Sequence, residues 1–168
     1  MPATKEDWAR AYALQAISDL VARDALVKAG VEQCHRLHFL QMAAEKTCKA
    51  HLIAASGTDA VRKTHAYVAK VLPTIASIFY AKLNDSKIRD WQLKQIKHFA
   101  REIEVIAPAC DAGDERKDNS EYPWLDGQGR VQTPCQYSFS NIGDGDKALV
   151  LLIKLIRTAA ETYTHLQD

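Results

Sequence analysis

Three groups of residues in this chain combine types and spacings that could do chemistry. Glu45 and Lys49 stand four apart, in the order that favours an ion pair along a helix. His38, Gln41 and Glu45 follow at spacings of three, four and seven, which puts all three on one side of the same helix. A carboxylate beside an imidazole can exchange protons with a ligand. The plainer role is a salt bridge, or a buried polar network that fixes helix register. His35 and His38 are three apart and could begin a metal site, but no third ligand is clearly placed, so no metal and no cofactor is assigned. Lys63, Thr64 and His65 form the second group. Thr64 suits the N-cap of a helix. The free N–H groups of such a terminus, with the Lys63 ammonium and the His65 imidazole, would suit a phosphate or nucleotide. Lys87, Lys94, Lys97 and Arg101 form the third, a cationic row that could track a nucleic-acid backbone. Asp90, Glu102 and Glu104 interrupt it, and a solvated helix face is its simpler meaning.

These groups need helices to position them. Apolar residues at three- and four-residue spacing predict a helix over about 5–29, with Trp8, Tyr12, Ile17, Leu20 and Val21 on its inner stripe. Thr4 and Asp7 make a variant capping box, and Gly30 is a stop. A second helix over about 31–55 follows so closely that the two must be antiparallel neighbours. Gly57 closes it. A third begins at Thr64 and carries Val68, Val71, Leu72, Ile75, Ile78, Phe79 and Leu83, with Pro73 expected to kink or restart it. A fourth spans about 86–107, with Ile88, Trp91, Phe99, Ile103 and Ile106 facing inward. A fifth runs from about 144 to 166. Residues 108–143 are rich in Asp, Gly, Pro and Ser but hold Tyr122, Trp124, Val131, Tyr137 and Phe139, too many for a disordered linker. Asp126-Gly127-Gln128-Gly129 marks a turn between two short extended arms. The expected architecture is all-α: an up-and-down bundle of about five helices in one domain, residues 1–168, with a long ordered loop before the last helix.

Composition narrows the function. A hydrophobic share of 47% and a charged share of 26% are globular values. A net charge of +1 excludes a generally basic, DNA-coating protein but leaves room for a local patch. No apolar run approaches the ~18–20 residues of a membrane helix. With no export signal at the N-terminus, a cytoplasmic location is expected. Cys34, Cys48, Cys110 and Cys135 form no C-x-x-C pair, which predicts four reduced thiols serving as small core residues.

Two stretches carry more than a generic bundle. One is His38-Phe39-Leu40-Gln41-Met42-Ala43-Ala44-Glu45-Lys46-Thr47-Cys48-Lys49-Ala50, and the other is Lys63-Thr64-His65-Ala66-Tyr67. Together they resemble the HEPN family, in which an A-A-E-K-x-x-K-A helix is followed by a K-T-H turn into the next helix. Ser18-Asp19-Leu20, the Gly30 break and Tyr122-Pro123 also fit. The resemblance covers most of residues 10–165 and implies a bundle of about five helices, often a symmetric homodimer. Relatives occur in toxin–antitoxin pairs, in phage defence and beside small nucleotidyltransferases, so a nucleotidyltransferase-type partner, RNA or a nucleotide is implied. Many relatives are metal-independent endoribonucleases using an Arg-x4–6-His pair. No such pair stands in this sequence; Arg89 with His98 and Arg157 with His165 are spaced nine and eight apart. Glu121 precedes Tyr122 where relatives carry arginine. These departures favour a binding and dimerisation protein. The alternatives are an endoribonuclease with an altered site built on Arg116, Tyr122, His65 and Lys63, and a purely structural interaction bundle.

The homodimer that the resemblance implies is checked by light scattering on eluted protein. A mass of two chains is expected, and a mass of one chain would remove the dimer.

Overall fold

The computed structural model describes residues 3–57, 61, 67–81, 86–107 and 118–165. Among these residues five α-helices form: α1 (Lys5–Lys28), α2 (Gln33–Ser56), α3 (Val68–Tyr80), α4 (Ser86–Val105) and α5 (Lys147–Thr164). Between α4 and α5 lie two antiparallel strands, β1 (Trp124–Leu125) and β2 (Val131–Gln132), and a short 3-10 turn over Pro134–Gln136. The architecture is an all-α bundle, as the periodicity predicts.

Local chemistry explains the boundaries. The Thr4 hydroxyl accepts from the Asp7 N–H at 3.1 Å, and the Asp7 carboxylate accepts from the Thr4 N–H at 2.8 Å. This is the reciprocal cap expected of the pair, and it holds the Asp7 carboxyl below its usual range. Gly57 ends α2 in the left-handed region, φ 65°, where a side chain would be strained. Asp146 caps α5 by accepting from the Ala148 N–H at 2.7 Å. In the β1–β2 turn the Asp126 carboxylate accepts from the N–H groups of Gln128 and Arg130 and from the side chains of Arg130 and Gln132. These donors, the Arg130 N–H first among them, hold its carboxyl well below the ordinary range. The expected arms and turn are therefore present. Of the two outcomes expected at Pro73, the restart does not occur: α3 runs through Pro73 as one helix.

The first two helices make the tightest seam. The face of α1 that is buried is Ala9, Ala13, Ala16 and Leu20, with Asp19 and Arg23. It meets a stretch of α2 that is itself alanine-rich, with Ala43, Ala44 and Ala50 fully covered. Small side chains let the two helices approach closely, at some loss of apolar area per residue. Val21, expected on the inner stripe, lies about 120° round the helix from Ala9 and is exposed. Trp8 and Tyr12, near the start of α1, pack with Ile53 near the end of α2, so the helices are antiparallel.

Polar pairs lock this seam. The Lys46 ammonium bonds the Asp19 carboxylate, joining α2 to α1. Lys49 meets Glu45 at 2.8 Å, and these side chains are only 5% and 4% exposed. The Gln41 amide donates to the other Glu45 oxygen at 3.2 Å. The Lys49 ammonium also lies 5.7 Å from the centre of the Tyr12 ring on α1, a favourable cation–π distance.

A larger apolar cluster takes Leu20 from α1, Leu37 and Leu40 from α2, Leu72 and Ile75 from α3, Phe99 and Ile103 from α4 and Leu152 and Ile156 from α5. Phe139 and Ile142 of the long loop complete it, with Trp124, Tyr137 and Phe139 stacked edge to face above. The Gln33 side chain clamps that loop, donating to the carbonyls of Ile142 and Phe139 and accepting from the Phe139 N–H. Arg157 of α5 bonds Asp24 of α1 at 2.7 Å, and Arg23 and Arg36 converge on Asp144 just before α5. His51 of α2 and Tyr163 of α5 hydrogen-bond at 2.6 Å; burial lowers the imidazole pKa and raises the phenol's. Cys34 and Cys48 are buried as expected, and burial lifts both thiols, but Cys135 is exposed; Cys110 lies outside the described residues.

Removing one member of the buried pair strands a charge. Glu45→Ala is expected to cost about 3–5 kcal/mol in urea unfolding, whereas a Glu45→Leu, Lys49→Met double variant stays near wild type. A loss below about 1 kcal/mol in the single variant would show the pair to be dispensable.

Candidate functional site

The sequence places cations along α4, and the helix period explains which of them gather. Ile96, Phe99, Ala100 and Ile103 are buried against the bundle. Lys94, Lys97, His98 and Arg101 fall on the opposite side and are exposed. α3 packs beside α4 in the opposite direction: the Ala69 N–H, at the start of α3, donates to the Glu104 carboxylate near the end of α4 at 3.2 Å. That contact satisfies one of the free N–H groups of the α3 terminus. It also sets Lys70 opposite the cationic turns of α4.

The result is an open groove of about 510 Å³ lined by Ala69, Lys70, Lys94, Lys97, His98 and Arg101. Such a volume suits a small ligand or a segment of a larger one. None of Lys70, Lys94, Lys97 and Arg101 has an ion-pair partner among the described residues. Of the acidic residues that interrupt the row in sequence, Glu104 holds the Ala69 N–H, Glu102 has a contact of its own, and Asp90 is exposed, 3.7 Å from Arg89. Cations gathered in one cleft focus a positive potential that attracts polyanions. The imidazole of His98 adds a hydrogen-bonding group that can donate or accept.

The structure therefore brings Lys94, Lys97 and Arg101 together and adds two residues, His98 and Lys70, that are not part of the expected cationic row. His98 was legible in the sequence, four residues after Lys94 and three before Arg101. Lys70 was not, because its place beside α4 depends on how α3 packs. Lys87 is exposed on α4 but does not line the groove. Glu45 and Lys49, expected as ligand contacts, are too deeply buried against each other to meet a ligand from solvent; they belong to the scaffold. His38 lies on the same side of α2 as Gln41 and Glu45, but its ring makes its contact with neither of them. Its Nδ1 faces the Glu121 carboxylate at 3.1 Å, a partner 83 residues away with no local signal in sequence. Tyr122 is 61% exposed, its N–H held by the Asn119 side chain at 2.6 Å. Lys63, Thr64, His65 and Arg116 lie outside the described residues.

Comparison with family models, with curated proteins and with solved structures returned no match for this chain. Among the described residues no cluster of three or more His, Cys, Asp or Glu side chains is placed to hold a metal ion. No helix among them is long and apolar enough to cross a membrane.

Because the groove cations make no ion pair among the described residues, they contribute little to folding. Lys94→Gln and Arg101→Gln are expected to stay within about 0.5 kcal/mol of wild type in thermal or urea unfolding. A loss of 2 kcal/mol or more, on the scale of roughly the larger mutational effects, would make them structural.

Proposed function

We propose that this chain is a HEPN-like helical binding protein that engages a phosphate-bearing partner, a nucleic acid or nucleotide, through the α3–α4 groove. One observation carries the reading: four cationic side chains from two helices line a single open groove with no acidic partner among the described residues. Lysine serves as a point charge for phosphate, and arginine can add a two-pronged contact. The near-neutral total charge of +1 makes this local concentration more telling than it would be on a basic protein. The resemblance in the α2 and Lys63-Thr64-His65 stretches supports the same setting, a toxin–antitoxin or phage-defence context with a homodimer and a nucleotidyltransferase-type partner.

A second reading has an observation of its own. His98 and Arg101 stand one helical turn apart on the groove, so an imidazole and a guanidinium share one surface. Metal-independent RNA cleavage needs a base for the ribose 2′-OH and cations for the charge that develops at phosphorus. His98 would serve as the base, in place of the Arg116, Tyr122 and His65 set.

The binding reading is tested with labelled RNA at increasing salt. Binding should weaken steeply as salt rises, and Lys94→Gln or Arg101→Gln should flatten that dependence by about one phosphate contact each. Affinity unchanged in both variants would remove the groove from the interaction. The same RNA incubated in EDTA tests cleavage: cutting that disappears in His98→Ala would establish the second reading, and intact RNA would end it.

A further inference from the structure

The cationic face of α4 continues past the groove and includes an aromatic side chain. At 3.6 residues per turn, Lys87, Trp91, Lys94, His98 and Arg101 fall within an arc of about 80°. Trp91 is 49% exposed, although its indole is among the largest apolar groups in the chain. The sequence pattern places it inward. The structure corrects this, because Trp91 lies about 80° round α4 from Phe99, the nearest edge of the buried face. Ile88, likewise expected inward, is also exposed. The row from Lys87 to Arg101 extends for about 21 Å along the axis, with Trp91 between Lys87 and Lys94.

Resting on the phosphate-binding reading of the groove, we propose that this face of α4 binds single-stranded nucleic acid, with an unpaired base stacked on Trp91 and the adjoining phosphates on Lys94, Lys97, Arg101 and Lys70. Aromatic rings alternating with cations are what such a strand requires, because every base offers a π-face and every linkage a negative charge. A duplex hides its base faces in the stack, so it can use the cations but not the indole. A second copy of this chain is the competing occupant, since Ile78 and Ile88 are exposed as well. Charge argues against it. A two-fold contact centred on Trp91 would press Lys87 and Lys94 of one copy toward the same residues of the other, and like charges facing each other oppose association.

The test uses the full chain and oligomers of about 12 nucleotides, within the usual range of single-strand sites. Oligouridylate, oligothymidylate and a duplex of equal length are compared by fluorescence anisotropy. The single strands should bind more tightly than the duplex. Trp91→Ala should weaken single-strand binding about tenfold or more and leave duplex binding unchanged, and Trp91→Phe should recover most of the loss. Single strands should quench tryptophan fluorescence in the wild type and not in Trp91→Phe, with Trp8 and Trp124 as the constant background. Equal affinity of Trp91→Ala and wild type for single strands would overturn the proposal, as would a duplex bound as tightly as a strand. A change of mass in Trp91→Ala without a change in strand affinity would assign the indole to contact between copies, and would also overturn it. Failure of the underlying reading looks different: Lys94→Gln and Arg101→Gln would then leave the binding of strand and duplex alike untouched.

Discussion

Two ammonium–carboxylate pairs at the seam of α1 and α2, one buried and one half-buried, constrain the rest of the bundle. Lys46 reaches Asp19 across the seam, and Lys49 reaches Glu45 along α2 while lying over the Tyr12 ring of α1. Charges removed from water are costly unless paired in one geometry, so they forbid the slides that an alanine-lined seam would otherwise allow. Small residues bring the helices close, and the polar pairs select one register among several near-equal ones. The Glu45-Lys46-x-x-Lys49 stretch thus has a structural purpose complete in itself: successive positions point to two different partners of the same core.

From that seam outward the molecule becomes less constrained and more exposed. α5 is tied to α1 by Arg157 and Asp24, and its N-terminal approach is anchored where Arg23 and Arg36 share Asp144. The long loop is held by Gln33 and by the buried Phe139 and Ile142. The α3–α4 pair sits on this platform. Its inner faces supply Leu72, Ile75, Phe99 and Ile103 to the core, while its outer faces carry Lys70, Lys94, Lys97 and Arg101, which make no ion pair among the described residues. A packed scaffold whose groove cations make no ion pair among the described residues is an arrangement suited to binding, since the groups that meet a ligand can change without unseating the core.

Much of the fold was legible in the sequence because its signals are local. The capping box of Thr4 and Asp7, the glycine stop after α2, the turn at Asp126 and the inward positions of Phe99, Ile103 and Ile106 each follow from a few neighbouring residues. The errors at Val21, Ile88 and Trp91 have one cause. Residue type alone places large apolar side chains on the inner face, whereas α1 buries an alanine stripe and α4 buries a narrower arc than its apolar residues span.

The candidate site divides in the same way. Lys94, Lys97 and Arg101 share a face by helical period alone, so their alignment was determined by sequence. Burial of Glu45 with Lys49, the pairing of His38 with Glu121 and the arrival of Lys70 beside α4 were decided only by tertiary structure. The physical reason is distance along the chain. Periodicity reports which residues of one helix point the same way, but only packing determines whether a neighbouring element covers that face, pairs its charges or leaves them open to solvent.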